Sequence, residues 1–208
     1  MSRLSEHWRL AGGQGATAIA LALALAACGG GGSNPLSNPA PVSNPSNTGG
    51  AKLSFVYFQQ CINPILLAQL PALHGGAFNN SCAGAGCHEA ANGTGGALRV
   101  VPEAPPIDLT DMANTPAVIR NSDMYKNFYS AQGAVVVGSS MQSRLLAKPL
   151  LLVQHAGGQI FLDATDTNAA RIAYWISNPM PRGQDEFSAA ASSMFTPPDP
   201  VTGACNPQ

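Results

Sequence analysis

Short apolar segments alternate with long stretches of Gly, Pro, Ala and Asn through residues 51–208. In KLSFVYFQQCINPILLAQL (52–70), apolar side chains recur at spacings of three and four, which predicts a buried helix. Pro64 is expected to bend this helix or to begin its second half. The segment DTNAARIAYWISNP (166–179) is the clearest helix, because Asp166 is a good cap and the apolar residues share one face. That face is formed by Ile172, Trp175 and Ile176.

Two further helices are predicted between these segments. One begins at Thr115-Pro116, a cap followed by a proline in the first turn, and runs through residue 131. The other covers SSMQSRLLAK (139–148), and AVVVG (134–138) is predicted to be a short strand. The pattern therefore predicts a mainly α domain of short helices and long irregular loops. A domain with so many irregular loops packs poorly unless something else stabilises its core. A flat apolar cofactor, a disulfide or a metal would each do so.

The N-terminal residues have the pattern of an export signal. Arg3 and Arg9 precede an uncharged apolar run, which ends in LAAC at Cys28. This ending resembles a bacterial lipobox, which implies cleavage after residue 27 and acylation of Cys28. A plain signal peptide or an N-terminal anchor helix is the alternative. Gly29 follows the cysteine where an aspartate would favour retention in the inner membrane, so the outer membrane is the expected destination.

The residues after Cys28 divide into a tether and one domain. Residues 28–50 are rich in Gly, Ser, Asn and Pro and are expected to form a disordered tether. Residues 51–208 are then one domain, with 1–27 as the signal peptide. The chain after residue 27 has eight basic and ten acidic residues, so it has no basic surface to bind nucleic acid. No second apolar run is long enough to span a bilayer, and the lipid is the expected membrane attachment.

Four cysteines remain once Cys28 is assigned to the lipid. An exported protein is exposed to oxidising conditions, so unused thiols are not expected. In one assignment Cys82 and Cys87 carry haem through thioether bonds and Cys61 pairs with Cys205. In the other, all four cysteines form disulfides and no cofactor is present.

The heptapeptide CAGAGCH (82–88) favours the haem assignment. Each cysteine would add across one haem vinyl group, and the following His88 would then be held close to the iron as its proximal ligand. The usual spacing between the cysteines is two residues, but here it is four. These four residues are all Ala or Gly, which allows a tight bulge. A zinc site formed by Cys82, Cys87 and His88, with or without His74, is an alternative.

The order of four motifs resembles the small bacterial monohaem cytochrome c domains of planctomycete and proteobacterial exported proteins. The motifs are INPIL (62–66), the heptapeptide, SRLLAKPL with HAGG (143–158), and ARIAYWI (170–176). The resemblance extends from about Phe55 to Asn178. It implies a small cytochrome c-like helical fold with one covalent haem c. The four-residue gap between the cysteines departs from the usual motif of that family.

A second axial ligand is needed for a low-spin electron-transfer haem. His155 is the first candidate, because it lies in a glycine loop before the closing helix, where the similar domains place this ligand. Met180, Met141 and His74 are the alternatives. A further alternative is an open sixth position with a peroxidase-like or ligand-sensing function.

These observations predict a lipid-anchored, periplasm-facing electron carrier that exchanges electrons with redox partner proteins and is not an enzyme. The second hypothesis belongs to another class: a haem-free, disulfide-stapled lipoprotein that acts as a surface binding or assembly module. Asp163 and Asp166 are interpreted as helix caps rather than as acid–base residues.

Overall fold

The computed structural model describes residues 50–74 and 81–207, and they form a mainly α structure. The predicted signal peptide, Cys28 and almost all of the predicted tether lie outside the described residues. The helices are α1 (Phe55–Tyr57), a π-helical turn (Phe58–Ile62), α2 (Asn63–Leu67), α3 (Pro116–Arg120), α4 (Asp123–Gln132), a 3-10 turn (Ser140–Gln142), α5 (Arg144–Ala147), α6 (Thr167–Ser177) and a 3-10 helix (Ala189–Met194). In the part of the chain that the structure describes, no helix is long and apolar enough to cross a membrane.

The first helical segment has three parts. The Ser54 hydroxyl accepts a hydrogen bond from the Tyr57 amide and caps α1. The chain then widens into a π-helical turn before α2, and Pro64 lies in the first turn of α2. Because proline has no N–H to donate, the regular helical ladder cannot continue through it. The prediction that Pro64 marks the second half of this helix is confirmed.

The helix predicted over 115–131 is divided into α3 and α4. Thr115 caps the first as predicted, but the Ser122 hydroxyl accepts from the Tyr125 amide and begins a second helix. A serine hydroxyl competes with backbone carbonyls for amide donors, so it favours a new N-terminus over a continuous helix.

The strand predicted over 134–138 is wrong, because this segment forms turns. The Val136 amide donates to the Ser143 hydroxyl, and the Gly138 amide donates to the Ile176 carbonyl. These backbone groups therefore bind scattered partners instead of a neighbouring strand. The strands among residues 50–74 and 81–207 lie elsewhere: β1 (Phe195–Thr196) pairs antiparallel with β2 (Ala204–Cys205).

Helix α6 agrees with its prediction. The Asp166 carboxylate accepts from the Asn168 and Ala169 amides, and the predicted apolar face is buried. By contrast, Asp163 caps no helix: its carboxylate accepts from the Thr165 amide and hydroxyl in a turn.

The centre of the domain is an aromatic cluster. The rings of Phe55, Phe58, Phe128 and Trp175 pack with centroids 5.4–6.2 Å apart, mostly edge to face. The Trp175 indole also donates to the Ser54 carbonyl, which joins α6 to the start of α1. The chain thus fills this part of its core with its own side chains.

The C-terminal segment is held against the first helical segment. A disulfide joins Cys61 in the π-helical turn to Cys205 in β2, 144 residues later. The Tyr57 hydroxyl donates to the Asn206 carbonyl. A covalent bond and a hydrogen bond therefore hold the C-terminal segment against the first helical segment.

A buried carboxylate connects three further parts of the chain. Glu186 is 3% exposed, and its oxygens accept from Lys52 Nζ at 2.8 Å, from the Arg120 guanidinium at 2.8 and 3.0 Å, and from the Tyr125 hydroxyl at 3.0 Å. Burial by itself raises the pKa of Glu186, but these hydrogen bonds and the local backbone outweigh it and lower the pKa to about 2. The charged form is therefore favoured by folding.

We expect this carboxylate to make stability depend on acid pH. Its pKa is lower in the folded chain than in the unfolded chain, so its contribution is complete above about pH 4.5 and is lost as the pH falls toward 2. Glu186→Gln should cost on the order of 2–3 kcal/mol of unfolding free energy at pH 7. It should also flatten the pH dependence of urea unfolding across that window. Asp185→Asn, at the exposed neighbouring position, is the control, and equal slopes for both variants would contradict the prediction.

Candidate cofactor site

The cysteines and the histidine of the heptapeptide are brought together by a compact turn. The His88 amide donates to the Cys82 carbonyl at 2.9 Å, and the Cys87 amide donates to the Gly84 carbonyl at 2.8 Å. Of the four intervening residues, Ala83 is buried against the core, whereas Ala85 and Gly86 are exposed. The longer spacing is thus accommodated by an outward bulge of two residues, so the ends of the turn stay close together.

His88 is held in place by its neighbours in the chain. The Val100 amide donates to the His88 carbonyl at 2.7 Å, and the ring Nδ1 lies 3.2 Å from the Leu98 carbonyl. A carbonyl only accepts, so Nδ1 must be the protonated nitrogen in this contact. The lone pair of the neutral ring is then on Nε2, which is the tautomer of a metal ligand held by a backbone carbonyl.

His155 is fixed in the same way by a different part of the chain. Its Nδ1 lies 2.8 Å from the Gly158 carbonyl, which again puts the lone pair on Nε2. The Gly158 amide donates back to the His155 carbonyl at 3.0 Å, and Gly158 has a φ of +76°. Glycine adopts this conformation without strain, so the HAGG segment can turn tightly around the ring.

The imidazoles of His88 and His155 lie close to each other. Their ring centroids are 6.4 Å apart, and their planes are within 12° of parallel. Two imidazoles that share one metal, each with its nitrogen about 2.0–2.1 Å from the ion, have centroids roughly 6 Å apart. The centroid separation of the observed pair is close to that value.

Two cavities adjoin this pair. Their volumes are about 240 and 430 Å³, and they share seven lining residues, including Cys82, His88, Lys148 and His155. Cys87 lines the larger one. The smaller one has an apolar wall formed by Ile65, Leu66, Leu145, Phe161 and Ile172. An apolar lining with a few polar groups is typical of sites for organic ligands and cofactors.

Burial and charge determine the state of the site's titratable groups. Burial, with a smaller effect from nearby Cys87, raises the pKa of the Cys82 thiol to about 11, so it is protonated at neutral pH. Burial also lowers the pKa of His88, and His155, Lys148 and Arg99 lower it further, against the opposing effect of the Leu98 carbonyl. The ring is therefore neutral at neutral pH, as a metal ligand must be.

The other candidate ligands lie elsewhere. Met180 is buried in the core, Met141 and His74 are exposed, and none of the three lines either cavity. Within residues 50–74 and 81–207, no three His, Cys, Asp or Glu side chains lie close enough to hold a metal ion. The disulfide that the structure describes joins Cys61 to Cys205.

Two glycines that support the rings were not identified from the sequence. A Cβ on Gly95 would lie 2.6 Å from His88 Nδ1, and one on Gly157 would lie 2.9 Å from His155 Cε1. Each imidazole thus occupies space that any other residue at that glycine would fill. Gly157 is in the HAGG motif, but no pattern in the sequence connects Gly95 with His88.

Comparison of this chain with protein-family models, curated proteins and solved structures gave no match.

Proposed function

We propose that this chain is a lipid-anchored c-type cytochrome that carries one covalent haem and transfers single electrons in the cell envelope. The observation that carries the proposal is the neighbouring pair of His88 and His155, each with Nδ1 at a backbone carbonyl and with 6.4 Å between ring centroids. Both imidazoles would ligate the iron of one haem.

The residues around the pair fit such a group. A haem is flat, large and mostly apolar, and two adjoining cavities with one apolar wall lie beside the imidazoles. Cys82 and Cys87 both line this space, so both thiols can react with a group bound there. When bound, the haem would supply the one-electron iron couple.

Each part of the chain has a separate role in this proposal. Cys82 and Cys87 would attach the group, and the two histidines would ligate its iron. The Leu98 and Gly158 carbonyls orient the two rings. The apolar wall excludes water from one side, which lowers the local dielectric and so affects the potential. Two histidine ligands favour a lower reduction potential than a histidine–methionine pair would.

The test is the visible spectrum of mature protein from a strain competent in cytochrome maturation. We expect a red protein whose c-type absorption survives acid-acetone extraction, and an intact mass that includes one haem. A colourless protein of unmodified mass from that strain would refute the proposal. A Cys82–Cys87 disulfide recovered in a peptide digest would favour the haem-free binding module.

The support of His155 by Gly157 gives a more specific prediction. In Gly157→Ala, the new methyl group would lie 2.9 Å from Cε1 and 3.2 Å from Nε2, so the ring must move. We expect weaker ligation by about 10–100-fold. High-spin absorption and CO binding by the reduced protein should therefore appear. Gly86→Ala, whose Cβ meets nothing within 4 Å, is the control and should remain low-spin. Identical spectra for the two variants would show that His155 is not the ligand.

A further inference from the structure

The loop that carries His155 closes on itself beside the cavities. The Ile160 and Phe161 amides both donate to the Pro149 carbonyl, at 2.8 and 3.1 Å. Pro149, His155 and Ile160 line the site. Leu150 is buried in the core, whereas residues 151–154 are exposed and do not line the site. This is the form of an Ω-loop, with its ends together and its tip on the surface.

The tip consists of three consecutive large apolar residues. Leu151, Leu152 and Val153 are 44, 56 and 46% exposed. Single exposed apolar residues are ordinary on a protein surface, but adjacent ones that form a patch usually mark a contact site. The tip is therefore a candidate for contact with an apolar surface outside this domain.

The backbone at the tip supports this interpretation independently. Leu151 has a φ of +58°, and no other described residue besides glycine has a positive φ. The Leu152 amide donates to the Ala147 carbonyl, and the Leu151 amide donates to the Lys148 carbonyl, which is the Schellman pattern after a helix. Glycine is the usual residue at this position, because a side chain there is strained. A bulky leucine costs stability here while leaving its side chain partly in water, so a role outside the fold is indicated.

The charges beside the tip identify the kind of partner. Residues 149–162 contain no Lys, Arg, Asp or Glu, Lys148 directly precedes them, and Arg144 lies one helical turn earlier. Both cations also line the smaller cavity. Among the described residues, neither cation forms an ion pair. Asp163, the first acid after the loop, is held by Thr165. An apolar tip next to free cations is complementary to an anionic bilayer, where the side chains enter the lipid and the cations meet the headgroups.

We propose that Leu151–Val153 inserts into the surface of an anionic phospholipid membrane. The predicted tether is compatible with this, since 21 residues separate Cys28 from Gly50 and can span at most about 75 Å. The insertion would hold the cavities close to the bilayer. Electron exchange would then be restricted to partner proteins that reach the membrane surface. The contact itself does not depend on a bound haem.

The experiment uses the full mature chain with Cys28→Ser, so that no acyl chain contributes. Leu152→Trp places a reporter at the tip, and Val201→Trp places one at another exposed site, 76% exposed in the parent residue. With phosphatidylglycerol/phosphatidylcholine vesicles, we expect a blue shift and quenching by brominated lipid for the first reporter and neither change for the second. The shift should weaken without phosphatidylglycerol and at high salt.

Leu151→Gly separates contact from folding. If Leu151 serves the fold, glycine should lower the melting temperature, whereas relief of strain should maintain or raise it. We expect an unchanged or higher melting temperature together with vesicle partitioning weakened about tenfold, since one apolar side chain is lost from the contact.

Equal partitioning of the parent and Leu151→Gly, or an unshifted Leu152→Trp reporter, would overturn the proposal. So would a dimer in sedimentation that Leu151→Gly dissolves, because a second copy would then cover the tip. The visible spectrum is recorded separately, so failure of the haem proposal is recognised independently.

Discussion

Natively matured protein with Cys82→Ser and Cys87→Ser is expected to contain no covalently attached haem. Serine has nearly the shape of cysteine but does not form a thioether, so the turn from Cys82 to His88 should keep its hydrogen bonds. The c-type absorption and the haem increment in the intact mass should both be lost, while the far-ultraviolet circular dichroism stays that of a helical protein. A single Cys87→Ser variant keeps the Cys82 sulfur and should retain part of the haem.

The matched control is Cys61→Ser with Cys205→Ser, which also removes two sulfurs. These two residues are joined to each other and do not line the cavities. This control should therefore keep its haem and its spectrum. If both double variants kept their haem, attachment through Cys82 and Cys87 would be disproved.

The second large effect concerns stability. Removing the Cys61–Cys205 disulfide is expected to lower the free energy of unfolding by about 2–5 kcal/mol, because the bond closes a very long loop and so constrains the unfolded chain. For a domain of this size, each kcal/mol corresponds to roughly 2–4 °C in melting temperature. Urea and thermal unfolding of the Cys61→Ser, Cys205→Ser variant measure the loss.

Contacts near the disulfide should make the effect local as well as global. Without the bond, β2 and the hydrogen bonds of Asn206 with Tyr57, Met194 and Thr196 must hold the C-terminal segment. We expect faster amide exchange there than in α6. Unfolding midpoints identical to those of the parent chain, with and without reductant, would contradict this prediction.

The structure gives the proposed electron carrier a simple organisation. One imidazole comes from the heptapeptide turn and the other from the loop between α5 and α6, and each ring is held by a backbone carbonyl and placed against a glycine. The aromatic cluster is packed by the chain's own side chains, so a cofactor at the edge is not needed to complete that core.

The sequence by itself determined the features that depend on neighbouring residues. Asp166 and Thr115 cap their helices because a side-chain oxygen three or fewer residues away satisfies an exposed amide. Pro64 interrupts its helix because it lacks an amide hydrogen. The heptapeptide placed two thiols and an imidazole in one turn, and small residues between the thiols allowed the bulge seen at Ala85 and Gly86.

Only the tertiary structure decided what depends on distant partners. The Ser143 hydroxyl accepts a hydrogen bond from the Val136 amide. The segment 134–138 therefore forms turns, although its composition is typical of a strand. His155 lies next to His88, whereas Met180 is buried in the core. In the sequence, both residues were candidates for the second iron ligand. Segments of four or five residues have too little intrinsic preference to fix their own conformation. Their backbone groups therefore form hydrogen bonds with the partners that the folded core provides. For this reason, the proximity of the two imidazoles could be found only in the folded chain.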